Sequence, residues 1–490
     1  MPPELVHALV AAPVLVPLAT TIGAGLAGTH PRRQTAIGLA GASALLGVSL
    51  VLLWTVVREG PLRTGFGGWD APFAIGFVAD PLGTGFVVVA AIMGLAALVF
   101  QCGDADAAPP SPLLVPLVHA FLAGACGAFL TADLFNLYVW FEVVLVASLG
   151  LVAMGGERRH LDAALRYFVL NVIGTIFVLL GVAQLYAVTG YLEFAMVGEV
   201  ARSIGAQPIL PASALLLVGL LFKAAAFPLS AWLPATYHTL PAPVLALFAA
   251  LGTKVGVYAL LRLHGGVLKV SAPFTSEALG WLAVATMVIG VLGAAHHWDM
   301  RRILAFHSVS QVGYMLLGVA LDSAGGTAAA FVFAVHHSFV KGNLFFIAAI
   351  VRASAGSYDL RSIGGLRAAR PWLGALFLSQ ALALVGIPPL SGFWAKLMIV
   401  RESLAQGQAV WAAVALWVGA LTLYSMVKIW MEAFWKPHPV EGWRPAGLGG
   451  QAPTVGVAVA LALVTLAFGL WPGPFLEAAA DAADLVRAAR

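Results

Sequence analysis

LLFKAAAFPLSAWLPATYHTLPAPV, residues 220–244, lies within a run apolar enough to cross a membrane, yet it holds Lys223 and four prolines. Hydrocarbon offers neither counter-charge nor hydrogen bonds, so a cation and helix breakers there require a protein interior around them. The segment therefore reads as one broken span inside a larger helical membrane protein.

The rest of the chain agrees. Of 490 residues, 61% are hydrophobic and 10% charged, against roughly 25% charged in soluble domains. Runs such as ALLLVGLLF and WLAVATMVIGVLGAA are apolar on every face, which excludes the alternating pattern of a transmembrane β-barrel. Apolar runs of about twenty residues, each enough for one crossing, begin near Leu5, Ala36, Asp80, Pro112, Asp133, Ala164, Ile209, Pro243, Glu277, Ile303, Gly326, Leu373, Val410 and Thr454. The expectation is an all-α polytopic membrane protein of about fourteen transmembrane helices. The run after MPPELVH lacks a basic start and reads as a retained span rather than a cleaved signal. The tail LEAAADAADLVRAAR reads as an amphipathic interfacial helix.

Basic residues collect in alternate short loops, THPRRQ, GGERRH, HHWDMRR, RASAGSYDLRSIGGLRAARP and WKPHPVEGWRP. The positive-inside rule puts these in the cytoplasm and both termini outside. The acidic loop QCGDADAAPPSP falls on the cytoplasmic side against that trend. Cys102 and Cys126 form no framework for a disulfide, zinc or an iron–sulfur cluster, and no glycine-rich loop follows a strand. No cofactor and no nucleic acid is expected.

An internal echo accompanies the opening stretch. FPLSAW (227–232) recurs as PPLSGFW (388–394), each in an apolar span that also carries a lysine. Pro228 is expected to free the carbonyl of Ala224, and Pro388 and Pro389 those of Leu384 and Val385. A freed carbonyl beside a lysine can hold water; the plain alternative is a packing kink.

Charge at mid-membrane costs from about 2.5 kcal/mol upward, so the buried ionisable residues need a purpose. The candidates are Glu142, Lys223, Lys254, His336, His337, Lys341 and Lys396, with Lys428 and Glu432 at the end of a span. Glu142 is expected to partner Lys223, since a nearby carboxylate stabilises a buried ammonium and its withdrawal releases the proton. A static salt bridge is the alternative. His337 and Lys341 share a helix face and are suited to passing a proton, whereas His336 points elsewhere. No acid or thiol stands at ligand spacing from the histidine pair, so no metal is expected there. His307 fits either proton uptake or an interfacial position, and Lys428 with Glu432 fits a structural i, i+4 pair. Together these residues form a candidate proton-conducting row. Sodium prefers oxygen ligands, and this interior is rich in lysine and poor in acids.

The motifs DLFNLYVWFEVVL, LLFKAAAFPLSAWLPATYHTLPAPV, RRILAFHSVSQVGYM, HHSFVKGNLFF and GIPPLSGFWAK resemble those of the antiporter-like membrane subunits shared by Mrp-type Na⁺/H⁺ antiporters and proton-pumping NADH:quinone oxidoreductase, complex I. Within that family the pattern is most similar to the D-type Mrp subunits. The resemblance implies two inverted five-helix repeats, each with a proline-broken helix: spans 1–3 in residues 1–111, repeats in 112–263 and 264–436, and a last span with the amphipathic helix in 437–490. It also implies proton-translocating roles for Glu142, Lys223, Lys254 and Lys396, and less directly for His336, His337 and Lys341. The implied setting is a plasma-membrane hetero-oligomer with the A, B, C, E, F and G subunits of an Mrp antiporter, exchanging H⁺ and, indirectly, Na⁺. Two other classes stay open at this point: a membrane component of a redox pump, and a scaffold whose buried charges only fix packing.

Overall fold

The computed structural model describes residues 2–488 except 68, 70–73 and 105–110. Residues 105–110, half of the acidic loop singled out above, lie outside the described residues. The helices are α1 (Pro3–Leu26), α2 (Pro31–Glu59), α3 (Pro81–Gly103), α4 (Leu114–Leu130), α5 (Leu134–Ala153), α6 (Arg158–Thr189), α7 (Phe194–Ile204), α8 (Ala206–Ala224), α9 (Trp232–Tyr237), α10 (Ala242–Arg262), α11 (Ala272–His296), α12 (Met300–Ala320), α13 (Ala324–Ala355), α14 (Leu366–Ala369), α15 (Pro371–Val385), α16 (Ser391–Ala405), α17 (Ala409–Ile429), α18 (Ala452–Leu470) and α19 (Gly473–Ala488). Among the described residues, 12 helices are long and apolar enough to cross a membrane, while Leu114–Leu130 and Pro371–Val385 are apolar but shorter.

Short polar residues start several of these helices by accepting from otherwise orphaned N–H groups. Asp80 accepts from Gly83, Asp133 from Asn136, Asp299 from Arg301 and Arg302, and Ser323 from Gly326. Once capped, the helices sort by burial: α10, α12 and α13 are enclosed almost completely, and α1, α2, α6 and α17 keep broad apolar faces outward. Helix α13 is the centre, packed by α10, α12, α16, α18, α19, α15 and α3.

A short sheet departs from the all-α expectation. Strands β1 (Leu62–Phe66) and β2 (Ile75–Ala79) form an antiparallel hairpin, with Leu62 opposite Ala79 and Phe66 opposite Ile75. The Phe66 and Phe77 rings meet edge to face at 4.9 Å, and Thr64 hydrogen-bonds His7 of α1. Five-residue strands within a connection carry too little periodicity to stand out beside long apolar runs. The end of the molecule that carries this hairpin is called the hairpin face below. The C-terminal amphipathic helix is present as α19, which buries Ala479, Ala482, Ala483 and Val486 and ties Arg487 to Asp322 at 2.8 Å on the hairpin face.

Both proline-bearing spans are broken, by the same local geometry. Helix α8 stops at Ala224, Ala225 turns left-handed (φ 58°), and the Ala226 N–H donates to the Leu221 carbonyl. Helix α15 stops at Val385, Gly386 turns left-handed (φ 91°), and the Ile387 N–H donates to the Leu382 carbonyl. Each helix thus ends before its prolines, with the six-to-one closure of a left-handed cap. That corrects the expectation that Pro228 itself opens the ladder at Ala224.

Helices α11 and α12 lie against each other through glycine. An added Cβ on Gly290 would collide with the Ser310 backbone nitrogen, and one on Gly313 would meet Met287 Cγ at 2.5 Å. Gly290→Ala is expected to cost about 1–3 kcal/mol through overpacking and to lower the thermal unfolding midpoint of the purified protein. An unchanged midpoint would contradict this close approach.

Candidate functional site: a buried row of lysine and histidine

The enclosed helices α10 and α13 carry four of the ionisable side chains chosen from sequence, and the others stand on neighbouring helices. Lys254 of α10 and His337 and Lys341 of α13 are fully buried, His336 is 2% exposed, and Lys223 at the end of α8 is 8% exposed. Lys396 of α16 is partly covered and lines a groove shared with Tyr314, Gly386 and Phe393. Glu142 of α5 is half-buried.

Backbone carbonyls receive the ammonium groups. Lys254 Nζ donates to the Ala249 carbonyl at 2.5 Å, Lys341 Nζ to that of Leu304 at 3.2 Å, and Lys223 Nζ to that of Asn171 at 3.5 Å. At the second break Lys396 Nζ donates to the carbonyls of Leu384 (3.1 Å) and Val385 (2.8 Å), the two singled out from the sequence, and lies 4.8 Å from the Tyr314 ring centroid. Because α15 has already ended at Val385, the side chain reaches back to its open carbonyl end.

One expected contact differs. Glu142 and Lys223 are electrostatic neighbours, but among the described residues no direct ion pair joins them. Lys223 instead sits 5.7 Å from the Phe141 ring centroid. His337 and Lys341 share no hydrogen bond, since both His337 ring nitrogens lack a partner. His336 does point elsewhere, with Nδ1 on Ser391 Oγ at 2.8 Å. Gly392 is required beside it: an added Cβ would meet the Ala383 carbonyl oxygen and would lie 2.8 Å from His336 Nε2.

The structure adds residues that the sequence reading left open or missed. His307 of α12 is fully buried rather than interfacial, and it lies within electrostatic reach of Lys341 and Lys396. Gln311, one turn further along α12, is also fully buried. Neither ring nitrogen of His307 and neither amide atom of Gln311 has a hydrogen-bond partner, and Thr253 Oγ1 on α10 is equally alone. The i, i+4 spacing of His307 and Gln311 in HSVSQ was the available signal. Lys428 and Glu432 do not pair with each other: Lys428 Nζ closes the end of α11 on the carbonyls of Ala295 (3.0 Å) and His297 (2.6 Å), while Glu432 pairs with Lys436 at 2.5 Å.

Buried polar atoms without partners are rare, because each forfeits a full hydrogen bond. Here they cluster on α10, α12 and α13, between lysines whose charges act on one another: His337 senses Lys254 and Lys341, and Lys341 senses Lys254 and Lys396. A site that is polar and has several unmet donors and acceptors is one that holds water. Such an arrangement can accept, store and pass protons, and it offers few anionic oxygens for a metal ion.

Comparison with known proteins agrees with this architecture. Residues 131–422 match the family described as NADH:quinone oxidoreductase/Mrp antiporter, transmembrane. The chain is 39% identical over 431 residues to the D-type component of the Na(+)/H(+) antiporter of Alkalihalophilus pseudofirmus, covering 87% of each chain. It is 38% identical over 415 residues to the N-type component of the NADH-quinone oxidoreductase of Desulforudis audaxviator, covering 83% of this chain and 82% of the relative. Among solved structures, a chain of the Mrp complex from a Dietzia species superposes with a TM-score of 0.89 at 30% identity, over 99% of this chain and 98% of that one. This chain belongs to the NADH:quinone oxidoreductase/Mrp antiporter family of membrane proteins.

Proposed function

We propose that the chain is the proton-translocating, D-type subunit of a multisubunit Na⁺/H⁺ antiporter in the plasma membrane. The observation that carries this reading is the buried set Lys254, His337, Lys341 and His307, with the partly covered Lys396 beside it, interleaved with side chains that lack hydrogen-bond partners. The names of its relatives supply the cation and the kind of assembly. Protons move along Glu142, Lys223, Lys254, His337/Lys341 and Lys396, with His336 beside the second break, while sodium is handled by the assembly.

Fourteen crossings follow when α4 and the broken α15/α16 span are added to the twelve longer helices. Two inverted five-helix repeats over 112–263 and 264–436 are supported by the matched breaks, each a left-handed cap followed by Pro-Leu-Ser, in the α8/α9 and α15/α16 spans. Residues 1–111 and 437–490 flank them. The basic loops favour both termini outside, so the hairpin face is the outer one. The partners are the A, B, C, E, F and G subunits of the same antiporter.

A second reading is favoured by the oxidoreductase relative: a proton-pumping membrane component of a redox complex. Purifying the tagged chain with its partners distinguishes the two. Small membrane subunits without flavin or iron–sulfur absorbance support the antiporter, and bound flavin and iron–sulfur proteins support the pump.

In everted vesicles carrying the assembled complex, Lys223→Ala and Glu142→Ala are each expected to abolish sodium-dependent proton exchange. Lys223→Arg should fail as well, because a guanidinium stays protonated and cannot hand its proton on. Assembled variants that exchange at the full rate would refute the relay, and variants that lose assembly instead would mark these charges as packing devices. A density map that resolves water should show ordered molecules against His307, Gln311 and His337. A dry interior there would exclude conduction along this row.

A further inference from the structure

On the hairpin face a cleft opens between the hairpin, α7, the turn after α10 and the end of α19. Asp80, Arg262, Arg63 and Glu193 line it. Arg262 grips Asp80 with two parallel hydrogen bonds, Nη1 to Oδ2 at 2.5 Å and Nη2 to Oδ1 at 2.6 Å, and the side chains are only 11% and 7% exposed. Arg262 Nε also donates to the Tyr258 hydroxyl at 3.0 Å, and that hydroxyl donates to the Phe129 carbonyl at 2.6 Å.

This cluster is aligned with the buried row. Lys254, Tyr258 and Arg262 stand at i, i+4 and i+8 on α10, so they share one face and climb about 6 Å per step. Mid-membrane lysine and cleft are thus joined by one helix stripe. Around Tyr258 the stripe is shut by aromatic rings: Phe129 lies 5.1 Å and Phe86 5.6 Å from it, centroid to centroid, and Phe331 lies 5.4 Å from Phe86.

We propose that the cleft is the mouth of the proton pathway on the hairpin face, and that Asp80, Arg262 and Tyr258, with the phenylalanines beneath them, form its closed gate. The proposal rests on the proton-translocating reading above. A buried ion pair is costly to break from one side, because the remaining charge is left without compensation. Protonation of Asp80 does this: a proton leaves Lys254 Nζ, crosses by water admitted between the rings, and bonds to a carboxylate oxygen of Asp80. Arg262, now unpartnered, turns into the wet cleft. Water there removes the proton, Asp80 is again a carboxylate, and the pair closes behind it. Tyr258 is a positioning residue that holds the guanidinium in line.

The test uses the whole antiporter complex with Cys102→Ser as background. Ala195→Cys places a thiol on the cleft wall, and Ser203→Cys places one on the exposed end of α7, away from the cleft. A membrane-impermeant methanethiosulfonate sulfonate is applied from the hairpin side. Labelling at position 195 is expected to slow exchange by about tenfold or more, and labelling at 203 to leave it unchanged. Asp80→Asn, which keeps the shape but takes up no proton, is expected to lose a similar factor in assembled complex. Full exchange with position 195 quantitatively labelled, or with assembled Asp80→Asn, overturns the gate. Should Asp80→Asn not assemble, the labelling result decides. Lys223→Ala measured alongside separates the two levels: if it is inactive while the cleft variants run normally, only the gate falls, and if it runs normally, the proton-translocating reading falls with it.

Discussion

Every lysine inside this molecule must find its hydrogen-bond acceptors in protein, because hydrocarbon provides none. The acceptors are backbone carbonyls: Ala249 for Lys254, Leu304 for Lys341, Asn171 for Lys223, and Leu384 with Val385 for Lys396. A carbonyl dipole welcomes an ammonium without matching its full charge, so it holds the group in place while leaving its proton exchangeable. A carboxylate at contact distance would bind that proton far more tightly. The broken helices are part of the same solution, since an intact α15 would have had no carbonyls at its middle to offer Lys396.

Charge is distributed accordingly. Close ion pairs stand at the ends of the helices, Asp80 with Arg262 and Asp322 with Arg487 on the hairpin face, Asp299 with Arg301 on the opposite one. The centre is rich in lysine and histidine, with Glu142 set to one side. When closed, the pairs at the rims hold the helix ends in register around this lysine-rich middle.

Much of this was legible in the sequence because membranes make buried charge conspicuous. Lys223, Lys254, Lys341 and Lys396 stand out from apolar surroundings on cost alone, and the repeated Pro-Leu-Ser located both breaks. What could not be read was the direction of each side chain. Whether Lys396 continues along its helix or turns back depends on where α15 ends, and that is set by Gly386 turning left-handed rather than by the prolines after it. Gln311 and Thr253 escaped notice because uncharged polar residues are common in membrane helices, and only their lack of partners gives them meaning. The Glu142–Lys223 contact was inferred from opposite charge, but Phe141 occupies the space beside Lys223.

Helix α13 binds its surroundings through side chains that point in four directions. His336 reaches Ser391 of α16, Ser338 the Ala250 carbonyl of α10, Lys341 the Leu304 carbonyl of α12, and Asn343 the Ala458 carbonyl of α18. These bonds fall within eight consecutive residues, about two turns. Any rotation or sliding of α13 would break all four together, with no lipid to replace them. The helix is therefore pinned to four neighbours within two turns, and a shift of α13 has to carry α10, α12, α16 and α18 with it or give up all four bonds.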